Sequence, residues 1–245
     1  MFAILKTSEN NKILRKPEIK CQRVNLPSGD AFFIVTTDKH RGKVPFKKLS
    51  NCLGILKKDV ILSDNISLPE TSDITLFTPD IFPRLLLMNS AVDYITKHKS
   101  EFISKTLTIS DEKGIYQNYI EKLLNTASHI KIITTKPESY KTVSEILMKN
   151  YGFSLIVTNK ETFESDVIIS HKQKAPLYFK GTVFTNEPSS ILCGRVLTGK
   201  DISLPKEYEN LNICNTDPLL FASALYEKCG CIDLTPLKYT RFIDL

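Results

Sequence analysis

The residues best placed for chemistry come directly after short apolar runs that the sequence predicts to be strands. They supply a carboxylate, ammonium groups, a hydroxyl, an imidazole and one glycine. Ligands of open α/β sheets bind at the edge where the carboxyl ends of the strands meet. The pattern therefore predicts a site for a small phosphorylated or nucleotide-like ligand at that edge. Its candidate residues are Asp111, Lys113, Gly114, Thr135, Lys136 and His171.

Two of these candidates have both a catalytic and a structural interpretation. His171 could act as a general base at the sheet edge, or it is an ordinary loop histidine. Asp111 could act as an acid, or it caps the helix that follows. The sequence holds no G-x-S-x-G segment and no cysteine in an activated context. We therefore assign no catalytic residue, and the sequence leaves open whether the protein is an enzyme.

A second candidate site is a run of basic residues, the basic patch, in the first third of the chain. No acidic residue interrupts its members, which are Lys39, His40, Arg41, Lys43, Lys47 and Lys48. The patch could hold a phosphate or a nucleic-acid backbone, but charge runs are usually solvated, and we expect a solvated loop. Phe46 is the only aromatic residue within it, so single-stranded nucleic acid has no stacking platform. We expect no nucleic-acid partner.

Metal sites and membrane segments are not expected. Cys229 and Cys231 are separated by one residue, whereas structural zinc pairs normally have about two to four between them. The four histidines form no ligand motif. The six cysteines, with no export signal in residues 1–6, predict reduced thiols in a cytoplasmic protein. No run of about 18 apolar residues occurs, which excludes a spanning helix and argues against a membrane partner.

Composition places the chain among globular proteins. Of its 245 residues, 42% are hydrophobic and 24% are charged, which excludes wholesale disorder. The net charge is +6, and it is unevenly distributed. Residues 1–78 contain 13 Lys and Arg against 8 Asp and Glu, whereas residues 79–245 contain 20 against 19. Most of the excess positive charge therefore lies in the first third of the chain.

The hydrophobic pattern divides the chain into two regions. Residues 1–78 predict a small β-rich module with a linker: a hairpin over 19–35 with its turn at 27–30, a short helix over 45–53, a strand at Val60–Leu62 and a linker over 63–78. Residues 79–245 predict an α/β domain. It begins with a helix over 80–99, whose apolar residues recur every three or four positions at Ile81, Leu85, Met88, Val92 and Ile95.

Strands and helices then alternate along the chain. Strands are predicted at Thr106–Ser110, 130–135, 153–158 and 166–170, and helices at 115–126, 138–150 and 216–229. This alternation predicts a Rossmann-like parallel sheet with helices on both faces. The apolar run at 155–157 predicts a strand covered on both faces, and residues 198–200 predict a turn.

Residues 106–170 resemble the nicotinamide-nucleotide-binding domain of shikimate dehydrogenase-like and glutamyl-tRNA reductase-like enzymes. A strand at 107–110 leads through a loop to a helix, and S-D-V-I-I-S at 165–170 is similar to a late strand of that family. Between them, T-T-K-P-E at 134–138 follows a second strand, where these enzymes contact the adenosine ribose. The resemblance implies a Rossmann-type fold and, where the site is intact, NAD(P) binding.

The phosphate loop departs from that family. The glycine-rich pattern G-x-G-x-x-G lets the backbone approach the pyrophosphate closely, whereas residues 111–116 read D-E-K-G-I-Y. Asp111 and Glu112 would lie against the pyrophosphate, and each like-charge contact at about 4 Å is unfavourable by about 1–4 kcal/mol. We therefore expect no cofactor and no tight NAD(P) binding. The alternative to a ligand-binding domain is a non-catalytic scaffold or interaction protein that uses its basic amino-terminal module.

Overall fold

The computed structural model describes residues 1–12, 16–64, 66–162, 164–174, 179–189, 194–211 and 216–245. They form two compact units, Met1–Phe82 with Leu204–Asp233, and Pro83–Ser203 with Leu234–Leu245. The first unit thus includes a late stretch of the chain that the sequence pattern placed with the α/β domain. Every helix in the described part of the chain is too short or too polar to span a membrane.

The secondary-structure elements are numbered in chain order. The strands are β1 (Ala3–Lys12), β2 (Ile19–Asn25), β3 (Ala31–His40), β4 (Val60–Leu62), β5 (Thr106–Ser110), β6 (His129–Ile133), β7 (Leu155–Thr158), β8 (Val167–Ser170), β9 (Thr182–Thr185), β10 (Arg195–Ile202) and β11 (Tyr239–Asp244). The helices are α1 (Phe46–Leu53), α2 (Phe82–Lys97), α3 (Lys99–Phe102), α4 (Gln117–Leu123), α5 (Lys141–Tyr151), α6 (Lys206–Glu209) and α7 (Pro218–Ala224). Short 3₁₀ segments at Gly54–Lys58 and Pro137–Tyr140 and a π turn at Leu225–Cys229 adjoin α1, α5 and α7.

A four-stranded sheet in the order β2-β3-β1-β4 organises the first unit. β2 and β3 form the predicted antiparallel hairpin, and β1 pairs in parallel with β3 and β4. Leu49 and Leu53 of α1 share one core cluster with Val35 of β3. Ile66 and Ile74 belong to the same cluster. The stretch predicted as a linker therefore contributes to the interior of this unit.

Three phenylalanine rings show why the late stretch belongs to the first unit. Phe2 stacks on Phe32 of β3 with ring centroids 5.2 Å apart, and the ring of Phe221 on α7 meets both edge-on. All three side chains are fully buried. The Glu227 carboxylate also accepts hydrogen bonds from the backbone N–H groups of residues 80–82. These contacts join segments far apart in the chain, so no local pattern could predict them.

A seven-stranded sheet in the order β11-β10-β9-β8-β5-β6-β7 organises the second unit. All neighbouring strands are parallel except β10 and β11. Counted from β5 along the chain, this is the 3-2-1-4-5-6 order of the Rossmann fold with an antiparallel strand added at one edge. The predicted α/β class, with a mostly parallel sheet flanked by helices, is confirmed. The strand order reverses between β5 and β8, where such folds bind ligands.

The sheet extends further than the sequence predicts. Residues 198–200, expected to form a turn, lie inside β10. A Cβ atom on Gly199 would lie 2.0 Å from the ring of Tyr239 on β11, so the glycine leaves space for that ring. The expectation of a turn is therefore wrong, because glycine in a strand can serve close packing.

β7 is covered on one face only. Its Leu155 is buried, whereas Ile156 is 51% exposed. β7 lies at the edge of the sheet, and the described residues between β7 and β8 form no helix that could cover the second face. The expectation that residues 155–157 are covered on both faces is wrong for this reason.

We expect Phe221→Ala to destabilise the first unit selectively. Truncating a buried phenylalanine leaves a cavity and costs about 3–5 kcal/mol, which urea unfolding measures. Hydrogen exchange should accelerate more in β1 and β3 than in β5 and β8. Leu219→Ala, at a half-buried position of the same helix, is the control and should have a smaller effect. Equal acceleration in both sheets would contradict the assignment of Phe221 to the first unit.

Candidate functional site

The loop after β5 holds a carboxylate inside a ring of its own backbone donors. The N–H of Gly114 donates to Asp111 Oδ1 at 2.9 Å, and those of Ile115 and Tyr116 donate to Oδ2 at 2.6 and 2.9 Å. Gly114 has a φ of +67°, a left-handed conformation that aims successive N–H groups at one point. Such a concavity binds anions. Here the anion is the chain's own Asp111.

A tyrosine closes the other side of this carboxylate. The hydroxyl of Tyr140 donates to Asp111 Oδ2 at 2.5 Å, and both side chains are almost fully buried. Burial, together with the charge of Asp111, raises the pKa of Tyr140 and of Tyr116 well above the ordinary value. A Cβ on Gly114 would lie 2.8 Å from Ser139 Oγ, so only glycine lets the 3₁₀ segment Pro137–Tyr140 close over the loop.

Most of the predicted ligand-binding residues meet at this loop, where they already have partners. Asp111 and Gly114 bond to each other, and the hydroxyl of Thr135 donates to the backbone carbonyl of Glu112 at 3.2 Å. Lys113 is half-buried in the loop, and Lys136 is exposed beside it. These contacts stabilise the carboxyl ends of β5 and β6.

His171 lies at the end of β8 in a hydrogen-bond chain of its own. Its Nε2 lies 3.1 Å from Glu187 Oε1, and its Nδ1 lies 3.1 Å from the amide nitrogen of Asn186. That amide also donates to the carbonyl of Pro83 at 2.8 Å and accepts from the Tyr239 hydroxyl at 2.9 Å. Both ring nitrogens of His171 therefore have partners.

An ion cluster that the sequence did not predict spans the reversal point of the sheet. Lys174, which follows β8, lies 2.8 Å from Glu112 Oε1 and 2.8 Å from Glu161 Oε1. Nη1 of Arg84, on α2, lies 3.6 Å from Glu112 Oε2. The hydrogen bond from Lys174 lowers the pKa of Glu112 most, and Arg84 adds to the effect. No spacing in the chain relates these four residues, so only the fold brings them together.

The basic patch lies in the first unit, at the end of β3, in the turn that follows and in α1. Arg41, Lys43, Lys47 and Lys48 are exposed, whereas Lys39 and His40 are half-buried. Within the described residues, no carboxylate forms an ion pair with the arginine or the four lysines. The described part of the chain thus offers these cations no carboxylate partner.

The described residues contain no group of three His, Cys, Asp or Glu side chains placed as metal ligands. Cys21, Cys52, Cys229 and Cys231 are free thiols, and Cys193 and Cys214 lie outside the described residues. Burial raises the pKa of Cys229 to about 11 and also raises that of Cys231. These two thiols therefore stay protonated and are poor nucleophiles.

Comparison with known proteins assigns no family. No family model and no curated protein matches the sequence. Two similar solved structures are L-tryptophan dehydrogenase from Nostoc punctiforme, with 9% identity and a TM-score of 0.31, and Thermococcus litoralis Δ1-pyrroline-2-carboxylate reductase in complex with NADH and L-proline, with 12% identity and a TM-score of 0.32. The matches cover 66% and 89% of this chain, and 53% and 73% of those chains. The chain thus spans about half of the first enzyme's length. The fold assignment rests on the strand order.

We expect Asp111→Ala to be strongly destabilising. It leaves three backbone N–H groups and the Tyr140 hydroxyl without their acceptor. Unsatisfied buried groups cost about 1–3 kcal/mol each, so we expect a loss of about 3–5 kcal/mol after local relaxation, measured by urea unfolding. Asp201→Asn removes the charge of an exposed carboxylate that pairs with Arg241 and keeps a residue type tolerated at its φ of +54°, so it should cost less than about 1 kcal/mol. A loss equal to that control would show that the loop does not depend on Asp111.

The raised pKa of Tyr140 makes stability depend on pH. Because its folded pKa lies above the ordinary value of 10.0, the unfolded state loses its proton first. The stabilisation is complete below about pH 10 and falls above it, by about 1.4 kcal/mol per pH unit for each such group. Tyr140→Phe should therefore lose less stability than the wild type between pH 9 and about 11.5 in urea unfolding. Parallel pH profiles for the two proteins would contradict the burial of an un-ionised hydroxyl.

Proposed function

We propose that the second unit binds a small anionic ligand, such as a phosphorylated metabolite, in the crevice between the carboxyl ends of β5 and β8. One observation carries the proposal: a buried guanidinium, that of Arg84, and an ammonium, that of Lys174, converge on Glu112. The crevice lies where the strand order reverses, which is the ligand position of open α/β sheets. Glu112 lies where the ligand anion would lie.

The charges in this crevice would allow an anionic ligand to replace the carboxylate of Glu112 beside Arg84 and Lys174. The side chain of Arg84 is only 11% exposed, and a guanidinium is costly to bury without an anion beside it. Its separation of 3.6 Å from Glu112 is longer than a close charge-assisted hydrogen bond of about 2.8 Å. The side chain of Glu112 is 42% exposed, so it can turn outward. A phosphate or carboxylate group could then contact Arg84 more closely than Glu112 does.

We expect no nicotinamide dinucleotide to bind at the neighbouring loop. The N–H groups of Gly114, Ile115 and Tyr116, which correspond to the donors that hold a pyrophosphate in a Rossmann fold, already bind Asp111. A pyrophosphate there would have to displace a buried carboxylate that also accepts the Tyr140 hydroxyl. The residues present therefore support a ligand anion at Arg84 and argue against NAD(P).

Calorimetric titration with ribose 5-phosphate and inorganic phosphate tests the proposal. We expect the wild type to bind ribose 5-phosphate, Arg84→Gln to bind at least tenfold more weakly, and Glu112→Gln to bind severalfold more tightly because the competing carboxylate is gone. Arg241→Gln, which removes an exposed arginine of the same unit, is the matched control. NAD and NADP in both redox states should show no micromolar binding.

The variants separate ligand binding from simple stability. Both Arg84→Gln and Glu112→Gln break the ion pair, so a structural role predicts that both lower the melting temperature and that neither changes phosphate binding. Opposite effects on phosphate affinity support a ligand site. If Glu112→Gln binds no tighter than the wild type, or Arg84→Gln binds equally well, the cluster is structural and the proposal fails. Micromolar binding of a dinucleotide would overturn the argument from Asp111.

A further inference from the structure

The basic patch contains a tight turn at residues 40–43, with an arginine, Arg41, at a position where that residue type is unusual. His40 and Lys43 exchange two backbone hydrogen bonds, of 2.8 and 3.0 Å, and only Arg41 and Gly42 lie between them. Both central residues have positive φ, +49° and +77°. Turns of this kind favour Asn or Gly at the first central position, because side chains such as that of arginine are strained there. Local backbone preference therefore does not explain why an arginine occupies this position of the turn.

Within the described residues, the cations around this tip form no ion pair, whereas two lysines elsewhere in the unit do. Lys57 pairs with Asp73 at 2.8 Å and Lys228 pairs with Asp59. In contrast, no carboxylate of the described residues forms an ion pair with the arginine or the lysines of the basic patch. These cations lie within ten positions of the chain, from 39 to 48, so they repel one another. An anionic partner would relieve that repulsion.

A groove of about 410 Å³ opens between α1 and residues 69–73, and Lys47 of the basic patch lines it. Asn51, Thr71 and Ser72 add polar groups to its wall. The carboxylate in the groove, that of Asp73, accepts hydrogen bonds from Lys57 and Ser50, which lower its pKa. Its charge is thus already balanced. The groove can hold one anionic side chain beside the ammonium of Lys47.

We propose that the basic patch and this groove form a docking surface for a polypeptide segment that carries closely spaced anionic side chains, either carboxylates or phosphates. The tip presents Arg41 and Lys43 to several anions at once, and the groove receives one of them. A polypeptide fits better than nucleic acid, because Phe46 is the one aromatic side chain among the described residues of the basic patch and the groove, too few to stack successive bases. This surface belongs to the first unit and does not depend on the ligand proposed for the second.

Fluorescence anisotropy with labelled 15-residue peptides tests the docking surface on the full-length protein. The probes are an Asp/Glu-rich peptide, a phosphoserine peptide, a Gln/Asn-rich neutral peptide and a single-stranded oligonucleotide with the charge of the acidic peptide. We expect the wild type to bind one or both anionic peptides at low salt, with affinity that falls as salt rises. The neutral peptide should not bind. The ranking of the two anionic peptides identifies the source of the anion.

Substitution of Arg41 gives the sharpest variant. Arg41→Asn removes the charge and places at the tip a residue that tolerates positive φ. We expect at least threefold weaker peptide binding together with an equal or higher melting temperature, so loss of folding cannot explain the loss of binding. Changing Lys39, Lys43, Lys47 and Lys48 to Gln as well should weaken binding at least tenfold. Lys20→Gln, at a side chain 73% exposed on β2 of the same unit, is the control and should bind within twofold of the wild type.

Three results would overturn the proposal. Binding of neither anionic peptide at low salt would leave the basic patch as a solvated surface. Equal peptide binding by the wild type and by the variant with all five substitutions would show that the peptide binds elsewhere. Tighter binding of the oligonucleotide than of either peptide at about 0.15 M salt, where charges are screened beyond about 8 Å, would assign the surface to nucleic acid instead.

Discussion

The loop at the carboxyl end of β5 depends on the hydrogen bonds that the buried carboxylate of Asp111 accepts. A carboxylate almost removed from water is stable only where donors replace its hydration, and here three backbone N–H groups and one tyrosine hydroxyl do so. These bonds set the path of the chain from β5 into α4. They also hold the 3₁₀ segment Pro137–Tyr140 against the loop, which requires glycine at position 114.

Two adjacent acidic residues thus have different roles because their surroundings differ. Asp111 turns inward and fills an anion-binding loop, whereas Glu112 turns outward between Arg84 and Lys174. In a dinucleotide-binding Rossmann fold, the first of these positions belongs to the ligand's pyrophosphate. Here the strand order of that fold persists, and the N–H groups of the loop after β5 donate to the carboxylate of Asp111.

The first unit shows how long-range packing overrides the order of the chain. Its sheet takes strands from residues 3–62, but Phe221 completes the cluster of Phe2 and Phe32, and Glu227 accepts hydrogen bonds from residues 80–82. Burial of aromatic surface is a large favourable term, and it outweighs the proximity along the chain that suggested a simple division at residue 78. The excess positive charge of residues 1–78, by contrast, was already visible in the composition.

The sequence by itself determined the elements that depend on local chemistry. Apolar runs and a turn at 27–30 predict the β2–β3 hairpin, and helical spacing predicts α2. The alternation of strands and helices predicted the α/β class with a mostly parallel sheet. These features depend on residues a few positions apart, so their backbone preferences and hydrophobic spacing can be recognised in the sequence itself.

Only the tertiary structure decided which side chains meet at the carboxyl ends of β5 and β8. Asp111 was predicted to oppose a pyrophosphate by charge, but its capture by the loop and by Tyr140 depends on a contact between residues 29 positions apart. The meeting of Arg84 with Glu112, and of Lys174 with both Glu112 and Glu161, likewise joins the ends of separate elements. Side-chain partners at such distances are set by how strands and helices pack, and packing is a property of the whole unit that no local pattern encodes.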